Sequence, residues 1–389
     1  MRGPLEGVKV LAFEQAIALP FCSFIFAELG ADVIKIEQPG RGDVVRGWDR
    51  VVGGLSSGFV AFNAGKRDIS VDVSKPDGQL IVSELAARAD VFIENFAPGV
   101  VDRLGLGHET LRGESPRLIY ASLSGYGQDG PYRDVKAFDL LIQGEAGILM
   151  TNGYPEAPAK VGMPITDLIG GSHVAMGVLA ALYERERTGV GSYIDLALLD
   201  SAFFWSGYFP HYEWHGQAPP PRSGMRHQFI CPYGPYLASD GKYVNLVVAS
   251  EKHWKIFCEK VVARPAWIED PRFSSIEARL VNREQLELAV EEVIATAPHD
   301  EWMRRAADAQ LPYGEVRDMA SVVGHPQLAS RGMIVRSSSP VGEIPLARFP
   351  LSTKTRRSVP EMGEHTEEIL RELGYDLERI ESLRRSGVI

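Results

Sequence analysis

Short apolar runs alternate with longer apolar stretches along the first part of the chain. The run VKVLAFE is followed by LPFCSFIFAELG and then by ADVIKIE, and glycine or proline bounds them. Short continuous apolar runs of this kind are typical of parallel strands that are buried on both faces, and the longer stretch between them is typical of a helix. Residues 8 to 37 therefore predict one strand–helix–strand unit.

Further strands and helices follow. DGQLIVSELAARA predicts a helix before the strand DVFIENF, RLIYASLSGYG predicts a strand, and GSYIDLALLDSAFFWSGYF predicts a strand that leads into a helix. This alternation is typical of an open α/β layer structure. The proline- and glycine-rich connector HGQAPPPRSGMRHQ marks the expected domain boundary. Beyond it, CPYGPYLASDGKYVNLVVAS predicts a hairpin that turns at SDGK.

Composition and charge narrow the class of protein. The chain has 389 residues, of which 45% are hydrophobic and 24% charged, as is ordinary for a globular protein. A formal net charge of −10 argues against a nucleic-acid surface but allows a local basic pocket for a small anion. Cys22, Cys231 and Cys258 show no metal-like pairing and favour a reducing compartment. Since neither a signal peptide nor an apolar run of about 18 residues is evident, we expect a cytoplasmic protein without a membrane span.

One acidic residue, Asp167, stands between the polar approach KVGMPIT and the long apolar stretch LIGGSHVAMGVLAALYERERTG. The apolar stretch predicts a buried helix. Aspartate is among the best residues for capping a helix start, because its side-chain oxygen accepts a hydrogen bond from an unpaired backbone N–H and its charge suits the helix dipole. A carboxylate at this place can also carry chemistry, and the pattern alone leaves both roles open.

The sequence lacks the familiar cofactor motifs. Glu37 ends the second predicted strand, where a ribose-binding acid would stand in a dinucleotide-binding protein. The preceding turn EQAIALP has no glycine fingerprint, however, so we expect no nicotinamide cofactor. No P-loop and no HExxH-type metal motif occurs in the sequence, and no metal is expected.

Basic residues gather in the loops that follow predicted strands. Each one alone is typical of a solvated surface charge. Their shared position matters more, because open α/β sheets bind ligands in the crevice beyond the carboxyl ends of their strands. The pattern therefore predicts a ligand site at that edge of the sheet. The residues in these loops are Arg41, Arg46, Lys66, Arg67, Asn95, Arg103 and Lys136.

Several motifs occur in order along the chain: AELGADVIKIEQPGRGD, FNAGKRDISVD, ADVFIENFAPGVVDRLGLG, ASLSGYGQDGPY, KAFDLLIQGEAG, PITDLIGG and VLAALYERERTGVGSYIDLALLDSA. In these motifs the chain resembles the class III coenzyme A (CoA) transferases, the formyl-CoA and carnitine CoA transferase family, essentially end to end. The resemblance implies a large doubly wound, Rossmann-like α/β domain over residues 1–215 and a smaller α+β domain over residues 216–325. Residues 326–389 would return to the large domain, and the protein would be an interlocked homodimer.

The resemblance identifies Asp167 with the catalytic nucleophile, an aspartate that directly precedes the long helix in this family. A carboxylate suits a reaction that exchanges a thioester between two carboxylic acids, because it can form a mixed anhydride and then an aspartyl-CoA thioester. The helix dipole is expected to keep Asp167 ionised, and the sequence IGG beyond it is expected to bring backbone N–H groups near an oxyanion.

The resemblance also implies which residues contact CoA, which acts as a substrate and not as a permanently bound cofactor. They lie in the turn after the first strand, at the ends of other strands and in the loops beyond. Ile17 and Gln38 replace a glutamine and an arginine that some members have at these positions. The matching residues of this chain are Ala16, Ile17, Ala18, Gln38, Val71, Asn95, Phe96, Arg103 and Lys136.

The acceptor acid is expected to be a dicarboxylate. MRHQFICPYGPY stands where the formyl-CoA enzymes have a glycine-rich loop, so the resemblance favours succinyl-CoA as donor and disfavours formate and oxalate. Citramalate, mesaconate, itaconate, malate and glutarate are the expected kinds of acceptor. Arg226 and His227 are expected to bind the distal carboxylate of the substrate, and a plain surface-loop role for this pair stays open.

Two other functions are also open at this point. The α-methylacyl-CoA racemases share the fold but need a second acid–base group to exchange the α-proton, and relatives supply a histidine where this chain has Lys136. An unperturbed lysine is a poor base at neutral pH. The third alternative is a catalytically silent CoA-binding protein, against which the intact surroundings of Asp167 argue.

Overall fold

The strands divide among one large sheet and three small ones. A computed structural model describes residues 3–352 and 358–389. Its strands are β1 (Lys9–Phe13), β2 (Asp32–Glu37), β3 (Arg67–Ser70), β4 (Val91–Glu94), β5 (Ile119–Ser124), β6 (Gly153–Tyr154), β7 (Ala157–Pro158), β8 (Tyr193–Ala197), β9 (Tyr233–Leu237), β10 (Tyr243–Val247), β11 (Tyr313–Glu315), β12 (Ile334–Ser337) and β13 (Ile344–Ala347).

Helices connect these strands. The α-helices are α1 (Ala18–Leu29), α2 (Ser57–Asn63), α3 (Pro76–Ala87), α4 (Val100–Arg103), α5 (His108–Glu114), α6 (Asp139–Glu145), α7 (Ile148–Thr151), α8 (Ile165–Thr188), α9 (Leu198–Trp205), α10 (Phe209–Trp214), α11 (Glu251–Ile256), α12 (Ala266–Glu269), α13 (Ile276–Val281), α14 (Arg283–Ile294), α15 (His299–Asp308), α16 (Met319–Val323), α17 (Pro326–Ser330), α18 (Thr366–Leu373) and α19 (Leu377–Arg385). A 3₁₀ helix spans Val44–Gly47, and a π-helix spans Phe257–Val261.

The chain forms two compact units. The first holds the described residues of Met1–Ala146, Gly162–Gly207 and Pro326–Ile389, and the second holds Gly147–Val161 and Tyr208–His325. The second unit thus begins before the predicted boundary at residue 215. It also takes in a segment that the sequence assigned to the large domain.

Hydrogen bonds to backbone carbonyls join residues 147–161 to the rest of the second unit. The Gly224 N–H donates to the Gly153 carbonyl over 2.9 Å. The Arg222 guanidinium donates to the carbonyls of Tyr154 and Pro155, in both cases over 2.8 Å. These bonds join positions about 70 residues apart in the chain, so local sequence patterns could not indicate them.

In the first unit, six parallel strands form one sheet in the order β3-β2-β1-β4-β5-β8. Since β6 and β7 lie in the other unit, β8 is the sixth strand of this sheet, and the order is that of a Rossmann-like fold. The expected α/β class is confirmed. The strand order reverses between β1 and β4, and ligands bind at such a point in open α/β sheets.

Helices cover both faces of this sheet, which explains the continuous apolar runs of its strands. Leu11, Phe92 and Tyr120 lie on one face, in a core cluster with residues of α3, α5, α18 and α19. The alternate residues Val10 and Ile93 are equally buried. On their side, α1 contacts β1 and α8 contacts β5.

The second unit is built around a small antiparallel sheet in the order β11-β10-β9. The predicted hairpin is confirmed, with Leu237 opposite Tyr243 on either side of the turn. Trp254 and Trp302 are almost fully buried in the core beneath this sheet. The Trp302 indole N–H donates to the Ile294 carbonyl over 2.7 Å, which satisfies its polar atom inside the core.

Helix α8 is long and apolar enough to cross a membrane by length and composition, with a mean hydropathy of 1.5 in its most apolar window. Leucine, isoleucine and valine side chains raise this mean, although polar residues such as Ser172 and His173 interrupt the apolar run. The window is 44% buried inside the protein, where α8 packs against α1 and β5 as a core helix does.

Two consecutive glycines allow α8 to pack closely between its neighbours. A Cβ atom on Gly171 would lie 2.2 Å from the carbonyl oxygen of Ala18, at the start of α1. A Cβ atom on Gly170 would lie 2.5 Å from the Leu198 side chain in α9. Because the Ala18 contact is with backbone, which cannot rotate away, α8 can reach this position only with glycine at 171.

We predict that Gly171→Ala destabilises the protein by about 1–3 kcal/mol, because the added methyl group pushes α8 away from α1. Gly177→Ala in the same helix is the matched control, since its Cβ would meet Ile194 at an ordinary 3.5 Å. That variant should be neutral or up to about 1 kcal/mol more stable, because alanine favours helix. Urea unfolding of both variants checks this, and equal midpoints would contradict the close contact.

Candidate active site

The turn after β1 lies at the switch point of the sheet and is fixed by side chains from two other loops. Ala16 has a φ of +64°, a left-handed conformation that is unusual for a residue other than glycine. The Asn95 amide, just after β4, accepts from the Gln15 N–H and donates to the Gln15 carbonyl, each over 2.9 Å. The loop after β4 thus holds the turn after β1 by two reciprocal bonds.

Asp43 holds the same turn from the loop after β2. Its Oδ1 accepts from the backbone N–H groups of Ala16, over 2.9 Å, and Val45, over 3.1 Å. Its Oδ2 pairs with the buried Lys35 ammonium over 2.8 Å. The strained backbone at Ala16 is therefore maintained by a charged side chain that is itself neutralised.

A second buried pair of charges, Glu14 and Lys66, lies beside the turn after β1. The Glu14 carboxylate accepts from Lys66 over 2.7 Å and from the Ser23 hydroxyl over 2.8 Å. Lys66 also donates to the carbonyls of Pro20, over 3.0 Å, and the Asn63 side chain, over 2.7 Å. Burial lowers the pKa of Lys66 to about 8, against the opposing effect of Glu14. Removing one partner would leave the other as an unpaired buried charge.

The start of α8 is capped by a residue from another helix. Asp139, the first residue of α6, accepts from the backbone N–H of Thr166 and from its hydroxyl, both over 2.9 Å. Helix α8 begins at Ile165, so Asp167 lies in the first turn and is not the N-cap. The capping role that the sequence offered for Asp167 is thus filled by Asp139, which leaves the Asp167 carboxyl available for another role.

Asp167 lies on the face of α8 that packs against α1. It precedes Gly171 by four residues, and residues four apart share a face of a helix. Gly171 meets Ala18 at the start of α1, so Asp167 is on the face of α8 that turns toward α1, one turn nearer the helix start. The neighbouring Leu168 packs against the cluster that contains Ile17 and Val45. The first turn of α8 and the turn after β1 are therefore neighbours through the packing of α8 on α1.

The surroundings of Asp167 favour its protonated form. The side chain is half-buried, and burial raises its pKa to about 7. The Asp139 carboxylate contributes to the rise, because two like charges repel. Burial and the Asp139 charge thus oppose the effect that the sequence suggested for the helix dipole. At neutral pH the group is balanced between its two forms.

The two glycines beyond Asp167 do not provide an oxyanion site. Gly170 and Gly171 lie inside α8, where backbone N–H groups bond to carbonyls four residues back. Their close contacts with Leu198 and Ala18 show that they are needed for packing. The expected role of IGG in binding an oxyanion is thus replaced by a role in positioning α8.

The other residues expected to contact CoA fall into buried and exposed groups. Ile17 is buried as the N-cap of α1, and Ala18 begins that helix. Val71 is buried just after β3, and Phe96 packs on Phe13 with 4.3 Å between ring centroids. The Gln38 carbonyl accepts from the Gly42 N–H over 2.9 Å and closes the loop after β2. Arg103 and Lys136 are exposed. These residues all lie after strands of the parallel sheet, as expected for a site at that edge. Their contact with CoA stays a prediction.

Several basic residues that the sequence placed near a ligand are already paired. Arg46 binds the Glu37 carboxylate with two nitrogens and lies 3.5 Å from the centre of the Phe59 ring. Arg67 binds Asp32 over 2.7 Å and Glu372 over 2.8 Å. Together with the buried Lys66, they stabilise the first unit through ion pairs and are not free to bind an anion.

Arg226 and His227 lie in the second unit and have partners there. Arg226 pairs with Glu291 over 2.8 Å and with Glu287 over 3.5 Å, and it lies over the Tyr236 ring. Two carboxylates already neutralise its charge. His227 stacks on Tyr233, and its Nδ1 accepts from the Phe229 N–H over 3.1 Å.

The charge of His227 is also unfavourable for binding a carboxylate. Burial and the positive charge of Arg283 lower the pKa of His227, so its ring is neutral at pH 7. Neither Arg226 nor His227 thus offers an unpaired positive charge to a substrate. The expected role of this pair in gripping a distal carboxylate has no support from these contacts.

The sequence interpretation missed Glu14, Lys35, Asp43 and Asp139. Lys35 carried a signal, since it interrupts the apolar strand DVIKIE, and a lysine in a strand covered on both faces has to be paired. Asp139 carried none, because its partner is 27 positions away. In the described residues, no group of three or more histidine, cysteine, aspartate or glutamate side chains is arranged to hold a metal ion.

The chain is similar to several known proteins over most of its length. An acetyl-CoA:oxalate CoA-transferase from Acetobacter aceti is 36% identical over 86% of this chain and 86% of its own. The human succinyl-CoA:glutarate CoA-transferase is 33% identical over 99% of this chain and 90% of its own. The crystal structure of a CAIB/BAIF family protein from Brucella suis is 33% identical, covers 96% of this chain and 100% of its own, and superimposes with a TM-score of 0.86.

The match to a family model extends over almost the whole chain. The model described as CoA-transferase family III matches residues 5–366, a range that includes the turn after β1, the loop after β4 and the start of α8. The relatives that match over most of their length are named as CoA-transferases. This chain therefore belongs to CoA-transferase family III and is an enzyme of the class III CoA-transferases.

Proposed function

We propose that this enzyme moves CoA from an acyl-CoA donor, with succinyl-CoA foremost, to a short dicarboxylate, and that Asp167 is the nucleophile. The observation that carries the proposal is the place of Asp167. Its carboxyl stands in the first turn of α8, has its capping role filled by Asp139, and lies on the helix face that packs against the start of α1. A carboxylate beside a site for a thioester is the group that this exchange requires.

The reaction proceeds through two mixed anhydrides and one thioester. An Asp167 oxygen attacks the donor thioester carbonyl, and the CoA thiolate leaves. The thiolate then attacks the Asp167 carbonyl of the anhydride, which releases the donor acid and forms an aspartyl-CoA thioester. The acceptor carboxylate attacks this thioester and again expels the thiolate. The thiolate attacks the acceptor carbonyl of the second anhydride, which releases the new acyl-CoA and regenerates the Asp167 carboxylate.

The half-buried position of Asp167 suits these intermediates. An anhydride or a thioester would be lost if water reached it, so a carboxyl shielded by protein protects the energy of the thioester bond. Burial also strips water from the attacking carboxylate, and the Asp139 charge makes its ionised form less stable. Both effects make the ionised Asp167 carboxyl less stable than a solvated carboxylate, and this favours its attack on a carbonyl.

Dicarboxylates are the proposed acceptors because the similar enzymes are named for them. Glutarate appears in the name of one relative and oxalate in that of another. Oxalate, which the sequence disfavoured, therefore returns among the acceptors beside glutarate, malate, mesaconate, citramalate and itaconate. Because Arg226 and His227 offer no unpaired positive charge, the groups that select among these acids are to be sought elsewhere.

We further propose that two chains form an interlocked homodimer. Large apolar side chains on α6, α8 and α9 of the first unit are exposed, and Phe204 is 74% exposed. Monomeric proteins rarely expose so many large apolar side chains, so this surface favours coverage by another chain. The exposed residues are Phe138, Leu140, Leu141, Met176, Tyr183, Phe203, Phe204 and Trp205.

Asp167→Ala should lower CoA transfer from succinyl-CoA by at least about 10⁴-fold, because the covalent route is lost. Binding of CoA should remain. Glu378→Ala is the matched control, since Glu378 is an exposed acid in the first turn of α19, and it should keep full activity. Chromatographic detection of each acyl-CoA product over a panel of dicarboxylates measures both variants. Full activity of Asp167→Ala would contradict the proposed nucleophile.

The pH dependence should report the protonation of Asp167. Only the ionised carboxyl attacks, so kcat/KM should fall about tenfold per pH unit below roughly pH 7. Asp139→Asn keeps a capping oxygen but removes a like charge, which lowers the pKa of Asp167 and should move this acidic limb to lower pH. The measurement is the kcat/KM profile of both proteins from pH 5 to 9, each checked for folding. A limb that does not move would contradict the coupling of the two carboxyls.

The interlocked dimer makes folding and association inseparable. Sedimentation of the protein over a wide dilution range should show a dimer and no folded monomer, and its unfolding midpoint should rise with protein concentration. A stable folded monomer at any concentration would contradict the interlocked arrangement.

A further inference from the structure

A buried cluster of charged groups lies beside the turn after β1, where the described part of the chain places four carboxyls and three basic side chains. Each basic side chain pairs with one carboxylate at 2.6 to 2.8 Å, in the pairs Glu14–Lys66, Asp43–Lys35 and Glu37–Arg46. The fourth carboxyl, that of Asp68, has no cation of its own, because Arg46 already binds Glu37 and lies 3.6 Å from Asp68. The cluster therefore lacks one positive charge.

Glu37 and Asp68 project from the same face of the parallel sheet. Asp68 in β3 stands opposite Lys35 in β2, and Glu37 lies two residues beyond Lys35. Residues two apart in a strand point to the same face, so the two carboxyls are diagonal neighbours. Glu37 is 2% exposed and Asp68 is 0% exposed. Water therefore stabilises a charge on neither of them.

The Asp68 carboxyl lacks the donors that an ionised group needs. Its Oδ1 accepts from the Gly363 N–H over 2.6 Å, whereas no group among the described residues donates a hydrogen bond to its buried Oδ2. A proton on this oxygen would supply the missing charge and would allow Asp68 to donate to the Glu37 carboxylate. Burial, the hydrogen bond with Glu37 and the Glu37 charge raise the pKa of Asp68 well above its usual range, although the Gly363 N–H and Arg46 oppose the rise.

Asp68 also holds residues 360–366 on the edge of the sheet. Strand β3 is the outermost strand, and the backbone of Asp68 is free on that side for other partners. The Asp68 N–H donates to Nδ1 of His365 over 3.1 Å, and the His365 N–H donates to the Asp68 carbonyl over 3.0 Å. The Ser70 N–H donates to the Thr366 hydroxyl over 3.0 Å. Because Nδ1 of His365 accepts a hydrogen bond, this ring brings no positive charge to Asp68.

Glu37 connects the same pair of carboxyls to the turn after β1. Its Oε1 accepts from the Asp43 N–H over 2.5 Å, and the Asp43 carboxylate accepts from the Ala16 N–H over 2.9 Å. One side of the pair thus contacts residues 360–366 and the other side supports the turn. If Asp68 lost its proton to solvent, two buried carboxylates would repel each other and strain both attachments.

We propose that Glu37 and Asp68 share one proton, and that this proton holds residues 360–366 and the turn after β1 in place, so that both segments loosen in alkaline solution. Asp68 is then a positioning residue. The inference does not depend on the proposed function, because it concerns how this edge of the sheet is held and not what binds there. The charged or titratable groups that face the pair from neighbouring elements are Lys35, Asp43, Arg46 and His365.

Urea unfolding tests whether the folded protein keeps a proton on Asp68. The amide in Asp68→Asn has the shape of the protonated acid, accepts from Gly363 and donates to Glu37, but does not titrate. Between about pH 6 and pH 8 the unaltered folded protein holds a proton that the unfolded chain has released. Its unfolding constant should therefore rise, relative to that of Asp68→Asn, about tenfold per chain for each pH unit. Asp129→Asn, which removes an exposed carboxylate, is the matched control and should follow the unaltered protein.

The sign of this effect follows from the raised pKa of Asp68. The stabilisation is complete below the pKa of an unfolded aspartate and is lost as the pH rises toward the pKa of Asp68. Lys66, whose pKa burial lowers to about 8, titrates in the same range, but it does so in both proteins. A ratio of unfolding constants that does not change with pH would overturn the proposal. So would an Asp68→Asn protein that is strongly destabilised or unfolded at neutral pH, because the cluster would then need the Asp68 charge.

Rapid-mixing hydrogen exchange tests the positioning role in the unaltered protein. After correction for the intrinsic effect of pH, the amides of residues 361–366 and 15–18 should be roughly tenfold less protected at about pH 9.5 than at about pH 7. The amides of α14, in the second unit, should keep their protection, and Asp68→Asn should keep it in both segments. Segments that stay equally protected in the unaltered protein, or that lose as much protection in Asp68→Asn, would contradict the shared proton.

Discussion

The contact between α8 and the start of α1 is the constraint on which the site depends. Gly171 meets the Ala18 carbonyl so closely that no side chain fits between them. Because α1 directly follows the turn after β1, this contact fixes the distance between that turn and the first turn of α8. Asp167 stands one turn before Gly171 on the same face, and its place is thus set by backbone packing rather than by its own hydrogen bonds.

Buried charge supports the site in two different ways. Beneath the turn after β1, Glu14 and Lys66 neutralise each other, as do Asp43 and Lys35, so this part of the protein is rigid and electrically balanced. At the start of α8 the opposite holds, because burial and the nearby Asp139 carboxylate both raise the pKa of Asp167. Stable ion pairs thus hold the turn after β1, whereas burial and a like charge raise the pKa of the carboxyl that we propose as the nucleophile.

The sequence predicted most of the elements of the parallel sheet. Apolar runs such as VKVLAFE and ADVIKIE identify strands because both faces of a parallel sheet are covered, and this burial leaves a local pattern. The hairpin at SDGK was equally predictable from turn chemistry. Asp167 itself was identified by resemblance and not by periodicity, since an acid at a helix start has a purely structural explanation as well.

The remainder depends on contacts between distant parts of the chain. The cap of α8 by Asp139, the pairing of Arg226 with Glu287 and Glu291, and the inclusion of residues 147–161 in the second unit all join positions that local patterns do not relate. Each of these contacts changes the interpretation of a residue or segment that was reasonable when its sequence was considered alone. An arginine in a loop looks free until the carboxylates that it binds are known, and an aspartate looks like a cap until another residue fills that role.

The most direct test of the central claim is to trap the covalent intermediate. The purified protein would be incubated with succinyl-CoA and then with hydroxylamine, and its peptides would be mapped by mass spectrometry. The account predicts a hydroxamate on Asp167, formed from the aspartyl-CoA thioester, and none when succinyl-CoA is omitted. A modification at another residue, or transfer that proceeds with Asp167 never modified, would contradict it.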